Sequence, residues 1–469
     1  MASSGIVTPG SLNLAVNPLQ HQPGDMIRAH NIEADMYNAK KKRPGYTTYL
    51  GTSPNGSTIQ DLMTYTRNSG TQFWNYALAG GLLYYSTQGT GAWTICGNGT
   101  MSAAGTLSSA VLEDTLLVAD GVGSIRHTTT GTSFTNTVNS PVTVSLAEFQ
   151  QRIYAAGTAS TLFWSNVGTP SDWTNDSSSI NVPGAGKLLK ITKIYSDTER
   201  LVTYKNSGIM HSWDGYNLRD LSTNLGITSG RSFGTVEQFR LGLNTLGIYS
   251  YSADQRPNII SNAIEKLIYN DQGEGIAGTS LNNAEGVMHK YEYMLGVGTV
   301  TDDLTDETIA DAIITYDYQK NEFFTRSFAN RPRAWLSYRD NTQTPQLIFS
   351  AGNQCYTYGN TSLNDNGSAI PVYMEGVITM NTLLDKKWTY YRCAFNPGCE
   401  AQVQVAISDT FTRAKKRWVN LGQAVDGSVE YRFPEGSRGK FLFWKIIESS
   451  QNARLHFYGM EYDAEVVEE

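Results

Sequence analysis

The chain has 469 residues, of which 40% are hydrophobic and 17% are charged, and its formal net charge is −7. This length allows two or three domains with buried cores. The acidic balance argues against a protein whose main task is to grip nucleic-acid phosphates, but it is compatible with a wall along which DNA slides. The 44 glycines and 27 tyrosines favour strands and turns over long amphipathic helices, so we predict an all-β fold.

Compartment and redox state follow from the termini and the cysteines. The first 20 residues lack the basic and apolar regions of an export signal, and no run approaches the roughly 18 apolar residues of a membrane-spanning helix. We therefore expect a soluble protein with no membrane partner. The four cysteines contain no C-x-x-C pair, so we expect free thiols rather than a disulfide framework or a zinc site.

Residues 1–45 are broken into extended pieces by four prolines. This composition predicts an extended N-terminal arm that precedes the first regular domain. Part of the arm is expected to add the strand that closes the ring described next.

Residues 46–368 repeat one plan: a β-rich run, a turn of Gly, Asn, Asp or Ser, a second aromatic-rich run and a polar loop. The clearest unit has strands at residues 73–79 and 82–85 around the turn Gly80-Gly81. Further units begin near Thr115, Arg152, Arg200, Phe239, Tyr291 and Leu336. Because a spacing of roughly 40–50 residues is typical of propeller blades, we predict a β-propeller of about seven blades.

One helix interrupts the strands of the ring. Asn262 and Glu265 fit a capping box, and Ile264, Leu267 and Ile268 share one helical face. We predict a single short helix at residues 262–268.

The strands after residue 368 alternate more strictly. Val403 and Val405 alternate with glutamines, and Tyr431 and Phe433 alternate with charged residues. This period of two suits sheets with one wet face, so residues 369–469 are predicted to form an antiparallel β-sandwich. The polar run 364–368 is predicted to be the linker between the two domains.

Motifs that would carry chemistry are missing from the sequence. It contains no phosphate-binding loop, no H-E-x-x-H and no G-x-S-x-G, and its six histidines show no metal-ligand spacing. One acidic cluster departs from the calcium-loop spacing and is predicted to be a solvated hairpin tip. Its members are Asp302, Asp303, Asp306, Glu307 and Asp311. We predict no catalytic, cofactor-binding or metal-binding residues and no enzymatic activity.

Two basic runs remain as candidate sites. A solvated turn is one interpretation of each run, and contact with an acidic neighbouring subunit or with passing DNA is the other. The candidate subunit-interface or DNA-facing residues are Lys40, Lys41, Lys42, Arg43, Arg413, Lys415, Lys416 and Arg417.

The layout resembles the tail accessory β-propellers of short-tailed bacteriophages, the packaged-DNA stabilisation proteins, and more loosely the nozzle proteins of related tails. One similar passage is the arm that leads into Lys42-Arg43-Pro44-Gly45-Tyr46. The other is the stretch from Gly226 to Ser232 together with the helix-forming run 259–268. The resemblance covers about a fifth of the chain. It implies a ring of identical subunits beneath the portal, on the adaptor side or the nozzle side, and it carries over no catalytic residue.

We therefore expect a non-enzymatic structural protein of the virion tail or head–tail junction, assembled in the host cytoplasm. The expected homo-oligomeric ring extends the DNA channel, helps to retain packaged DNA, and contacts portal, adaptor or other tail proteins and, transiently, viral DNA. Two alternatives share the fold, namely a receptor- or carbohydrate-binding tail propeller and a propeller glycoside hydrolase. A ring with an open lumen favours the first function, a surface sugar pocket the second, and converging carboxylates with raised pKa values the third.

Overall fold

The regular structure of the chain is almost entirely antiparallel β-sheet, as the composition predicts. The computed structural model describes residues 2–15, 17–50, 54–67, 70–87, 91–103, 105–174, 178–195, 199–236, 239–252, 256–268, 275–276, 278–302, 307–359, 362–411, 416–424 and 426–467. Five strands come first in the chain. They are β1 (Ala2–Val7), β2 (Met26–His30), β3 (Ile32–Ala34), β4 (Lys40–Lys42) and β5 (Tyr46–Tyr49).

The next twenty strands form five four-stranded sheets, each made of four strands that follow one another in the chain. The strands are β6 (Ile59–Arg67), β7 (Gln72–Ala79), β8 (Leu82–Thr87), β9 (Thr94–Thr100), β10 (Ser108–Leu112), β11 (Thr115–Ala119), β12 (Arg126–Thr128), β13 (Thr135–Asn136), β14 (Thr143–Phe149), β15 (Arg152–Gly157), β16 (Thr161–Trp164), β17 (Ser178–Asn181), β18 (Leu188–Ile194), β19 (Arg200–Lys205), β20 (Met210–Trp213), β21 (Leu218–Ser222), β22 (Phe233–Val236), β23 (Phe239–Asn244), β24 (Gly247–Tyr251) and β25 (Asn258–Ile259). The predicted turn Gly80-Gly81 joins β7 to β8 with φ values of 58° and 76°, a left-handed conformation that glycine adopts without strain.

Two more blade-like units and two short helices complete this part of the chain. Their elements are α1 (Glu265–Ile268), β26 (Gly275–Ile276), α2 (Gly278–Asn282), β27 (Glu285–His289), β28 (Glu292–Asp302), β29 (Glu307–Asp317), β30 (Glu322–Arg326), β31 (Ala334–Arg339), β32 (Pro345–Ala351) and β33 (Gln354–Tyr358). β31, β32 and β33 take their fourth strand from β5, which pairs with β33 from Tyr46 opposite Tyr358 to Tyr49 opposite Cys355. The N-terminal part of the chain thus closes the ring, as expected.

The sheets form a β-propeller, so the predicted fold class is confirmed. Six separate four-stranded sheets are found within the described residues, and strands β27 to β30 fill one further place between β22 and β31 as part of a larger sheet. Aromatic side chains fill the space between neighbouring blades, as where Trp164 of β16 and Trp213 of β20 stack with ring centroids 6.0 Å apart. The ring needs this packing because one sheet alone leaves a face unburied.

The last eight strands form a two-sheet sandwich. They are β34 (Val372–Ile378), β35 (Lys386–Phe395), β36 (Gln402–Ser408), β37 (Val419–Gln423), β38 (Ser428–Arg432), β39 (Arg438–Gly439), β40 (Phe441–Glu448) and β41 (His456–Val466). One sheet has the order β3-β4-β41-β35-β38, with β1 also on β41 and β39 on β35. The other runs β30-β2-β34-β40-β36-β37 and is continuous with the blade β27 to β30.

The N-terminal segment is part of the sandwich and is not the free arm that its prolines suggested. β1 and β4 pair with β41, and β2 lies between β30 of the propeller and β34 of the sandwich. The division at residues 45 and 368 therefore marks the propeller in sequence, whereas the sandwich takes in strands from both ends of the chain.

The predicted helix is present but is capped differently. A 3-10 turn at Asn262–Ile264 leads into α1, and Ile264, Leu267 and Ile268 are buried, as predicted. The cap residue is Ser261, whose hydroxyl accepts the Ile248 N–H instead of capping the helix. A second helix, α2, was not predicted. None of the helices in the described ranges is long and apolar enough to span a membrane.

Candidate functional site

The first basic run forms strand β4 at the junction between propeller and sandwich. Its side chains alternate, as they must in a strand: Lys40 and Lys42 are buried, whereas the Lys41 side chain is 34% exposed. The Lys40 ammonium lies 2.7 Å from Glu322 of the propeller, and the Lys42 ammonium lies 2.8 Å from Glu448 of the sandwich. The strand β4 therefore forms one ion pair with the propeller and one with the sandwich.

Arg43 follows β4 and is fully buried at the same junction. Its guanidinium makes a two-point contact with Asp365 at 2.6 and 2.8 Å, and its Nε donates to the Asn31 side chain at 3.0 Å. The remaining donors reach the carbonyl oxygens of Pro44 and Ser327. Because Asp365 belongs to the predicted linker 364–368, this linker is anchored by a buried ion pair.

A second buried arginine strengthens the same region. Arg326, at the end of β30, makes a two-point contact with Glu292 at 2.5 and 2.8 Å and lies 3.7 Å from Glu33 of β3. Burial, followed by the nearby charge of Glu292, raises the pKa of Glu33, while the charges of Arg326 and Lys41 act against that rise. The hairpin of β3 and β4 is thus joined to the propeller by charge and to the sandwich by its strand pairing with β41.

These contacts correct the sequence-based interpretation of the first run. Lys40, Lys42 and Arg43 are buried and paired within the chain, so their charges do not face solvent, a second subunit or DNA. Lys41 is the partly exposed member, and it lies 2.8 Å from Glu33. The run therefore joins the two domains, and we call β4 the seam strand. Each buried cation has a carboxylate close by, because burying a charge requires such a partner.

The second run falls partly outside the described residues, since Arg413 and Lys415 are not described. The side chain of Lys416 is 2% exposed, lies 3.5 Å from Glu375 and sits over the ring of Phe443. Arg417 is exposed. Of the described members of this run, Arg417 therefore keeps the predicted accessibility, whereas Lys416 does not.

Three members of the acidic cluster lie on paired strands, Asp302 on β28 and Glu307 and Asp311 on β29. Asp302 and Glu307 form the last pair of the ladder, and Asp303 and Asp306 lie outside the described residues. Asp311 pairs with Arg331 at 3.0 Å. No group of three or more potential metal ligands occurs within the described ranges.

A second charged region lies on the axis of the propeller. Its cavity of about 490 Å³ is lined by at least one residue from the inner strand of each unit of the ring. The lining includes Asp61 of β6, Ser108 of β10, Val144 of β14, Lys190 of β18, Phe233 of β22, Glu285 of β27 and Trp335 of β31. A neighbouring cavity of about 440 Å³ shares Arg231, Glu285 and Trp335 and adds Arg331 and Arg333. We call the two together the axial cavity.

Arg231 lies between two carboxylates of the axial cavity. Its guanidinium is 2.8 Å from Glu285 and 3.6 Å from Asp61. Asp61 is already held by the backbone, because its carboxylate accepts the N–H groups of Leu62 and Leu107. Burial raises the pKa of Glu285 to about 8, and Arg231 opposes that rise without cancelling it. At neutral pH Glu285 therefore carries a proton in most molecules.

Sequence reasoning missed the axial cavity. Lys190 is one of three lysines at residues 187–193, and nothing in that run marks which of them points to the axis. For the junction, a signal was present: the alternation of strand side chains predicts that Lys40 and Lys42 share a face opposite to Lys41.

Comparisons with known proteins concern the fold. No family model and no curated protein matches the chain. A structure described as YCF48 bound to D1 peptide is 11% identical, with a TM-score of 0.43, and the match covers 70% of this chain and 97% of that one. A structure of BBS1N in complex with ARL6DN, soaked with lead, is 10% identical, with a TM-score of 0.45, covering 68% and 99% of the two chains. The mercury-soaked form of that complex is 8% identical, with a TM-score of 0.44 and coverage of 68% and 98%.

The sheets and their order define the class of protein. The chain is an all-β protein built on a β-propeller, with a further β-sheet region that uses both chain ends. At such low identities and TM-scores, the similar structures carry no argument about what this protein does.

Proposed function

We propose that the chain is a non-enzymatic structural protein of a bacteriophage virion. In this proposal identical copies form a ring at the tail or head–tail junction, extend the DNA channel and help to retain packaged DNA. The ring would contact portal, adaptor or other tail proteins and, transiently, the DNA itself.

One observation carries the proposal: the first passage that resembles the tail propeller family and the helical part of the second lie where the two domains meet, whereas Gly226 to Ser232 lies at the propeller axis. Arg43, Pro44 and Gly45 connect the seam strand β4 to the closing strand β5. The buried face of the helix at 262–268 packs into a hydrophobic core that also contains Trp388 and Trp444 of the sandwich. Residues shared for architecture are expected at such joints.

The sandwich offers the surfaces that a ring would need. A closed propeller has few free strand edges, so subunits that associate through strand edges would use strands outside the propeller. Within the described part of the chain, β37 and β38 end the orders of the two sandwich sheets. Val419 at the start of β37 is 43% exposed, and Arg417 lies two residues before it.

Replacing Val419 with lysine tests this arrangement. We expect V419K to lower the fraction of oligomer in light scattering, because it adds a charge to the edge that would meet the next subunit. The matched control is V122K, since Val122 is 61% exposed on the propeller. If V122K disrupts the oligomer and V419K does not, the contact lies on the propeller instead.

A particle experiment tests the function itself. Phage made without this protein should package DNA and then lose it, and the full chain supplied in trans should restore retention. Particles that assemble, retain DNA and infect normally without the chain would contradict the proposal.

The glycoside hydrolase alternative is favoured by one specific observation, which is the convergence of Asp61 and Glu285 on the axis. The two carboxylates are bridged by Arg231, and Asp61 is engaged by backbone N–H groups. This arrangement holds the carboxylates in place rather than leaving one free to act on a glycosidic bond. A host-polysaccharide hydrolysis rate that disappears in Glu285→Gln would support the hydrolase. Binding of a neutral host glycan to the intact chain would support the receptor-binding alternative.

A further inference from the structure

Lys190 is the unmatched cation of the axial cavity. Among the described residues its ammonium has no hydrogen bond or ion pair, although the charges of Asp61 and Arg231 lie close enough to affect its pKa. Burial lowers that pKa. Lys190 is half-buried in the wall of the cavity, so a ligand that enters the cavity can supply the partner that the chain does not.

The charges that face the cavity leave an excess of positive charge. Lys190, Arg231, Arg331 and Arg333 are the cationic lining residues. The carboxylates that face them are Asp61, Glu285 and Asp311, of which Asp311 is paired with Arg331. Since Glu285 is protonated in most molecules at neutral pH, it does not compensate Arg231 fully.

The size of the cavity selects small ligands. Volumes of about 490 and 440 Å³ lie within the range of pockets that bind small molecules and enclose most of their surface. The wall supplies an apolar surface as well, because the half-buried ring of Trp335 lines both parts.

We propose that the axial cavity binds a small oxyanion, a carboxylate or phosphate group, between Lys190 and Arg231. The oxyanion accepts hydrogen bonds from the ammonium and the guanidinium, and the rest of the ligand lies against Trp335. This inference stands whether or not the chain is a virion component.

The first experiment measures binding by isothermal titration calorimetry on the full chain. Inorganic phosphate, acetate and glucuronate are titrated separately, with sodium chloride at matched ionic strength as the reference. Saturable heat with phosphate alone identifies a phosphate ligand, and saturable heat with the two carboxylates identifies a carboxylate ligand. No saturable heat above chloride with any of them overturns the proposal.

Variants locate the site. Lys190→Met should weaken binding of the active oxyanion about tenfold or more, because a desolvated charge-assisted hydrogen bond is lost. The control is Lys187→Met, since Lys187 is exposed in the same stretch. Equal affinity in Lys190→Met and the wild type contradicts the proposal.

A chemical readout on the wild type keeps the test valid if Lys190→Met does not fold. Acetylation of lysines followed by mass spectrometry should show that the bound oxyanion protects Lys190 and leaves Lys187 unprotected. Binding should also weaken as the pH rises through about 8, because Glu285 then ionises beside Arg231 and competes for its charge. Unchanged acetylation of Lys190 at saturating ligand overturns the site.

Discussion

The domain junction and the axial cavity each contain several charged side chains, but they differ in whether each cation is paired with a carboxylate of this chain. At the junction Lys40, Lys42 and Arg43 each lie within 2.8 Å of a carboxylate oxygen of this chain. At the axis Arg231 is shared between two carboxylates, and Lys190 has no ion pair with any described residue. Matched charges fix how two parts of a protein sit together, whereas an unmatched charge is available to a ligand.

The largest expected effect is at Arg43. Replacing it with methionine removes a buried guanidinium and leaves Asp365 without its partner, so the apparent free energy of unfolding should fall by about 3–5 kcal/mol. Urea unfolding monitored by tryptophan fluorescence measures the loss. The control is Arg339→Met, because Arg339 is exposed and donates one hydrogen bond to the Gln343 carbonyl. Equal small losses in both variants would mean that the junction does not depend on this pair.

A steric change at the same joint should have the next largest effect. A Cβ atom on Gly45 would press against the carbonyl oxygen of Asn364, which is backbone and cannot turn aside. Gly45→Ala should therefore cost about 1–3 kcal/mol of stability. Gly123→Ala is the control, since its Cβ meets nothing closer than 3.7 Å. If Gly45→Ala is as stable as this control, the close contact between residue 45 and the Asn364 carbonyl oxygen is not present.

The third effect is a dependence of the stability on pH, caused by Glu285 in the axial cavity. Glu285 has a pKa of about 8 in the folded chain against an ordinary value of 4.5, so the folded state keeps a proton that the unfolded state has lost. Stability should therefore fall as the pH rises from about 4.5 to 8 and then level off. Between about pH 6 and pH 7.5 we expect a loss of roughly 1 kcal/mol, after allowance for partial exposure.

Glu285→Gln isolates this contribution, because glutamine cannot ionise. The variant should lose less stability over the same pH range than the wild type does. The same substitution at Glu461, whose side chain is 47% exposed, should leave the slope unchanged. Parallel slopes for the wild type and Glu285→Gln would show that Glu285 titrates normally.

The smallest effect is expected at Lys41. Its side chain is 34% exposed beside Glu33, and partly exposed ion pairs contribute little. Lys41→Gln should change stability by about 0.5 kcal/mol or less in the same urea experiment. A loss as large as that of Arg43→Met would contradict the division of the run into buried and exposed members.

Much of the propeller could be predicted from the sequence because its contacts are local. The hairpin of β7 and β8 needs only two runs rich in apolar and aromatic residues and the turn Gly80-Gly81, all within sixteen residues of one another. The helix face at Ile264, Leu267 and Ile268 was predictable for the same reason.

The alternation of the first basic run was predictable, but the ion pairs of the junction were not, because the partners are distant in the chain. Arg43 meets Asp365, and Lys42 meets Glu448, which lies 406 residues further on. Nothing near a run of four cations reveals carboxylates that far away, so the run was interpreted as a surface feature. The axial cavity was hidden for a related reason, since each unit of the ring contributes only one or a few residues to it.

The position of the chain in the virion tests the central claim most directly. A cryo-electron microscopy map of the intact particle should show copies in a closed ring around the DNA path. Each copy should fit as one body, with propeller and sandwich in the relation that the buried pairs at Arg43 and Lys42 impose. A particle that lacks the chain, or that carries it as single copies on the outer surface, would contradict the account.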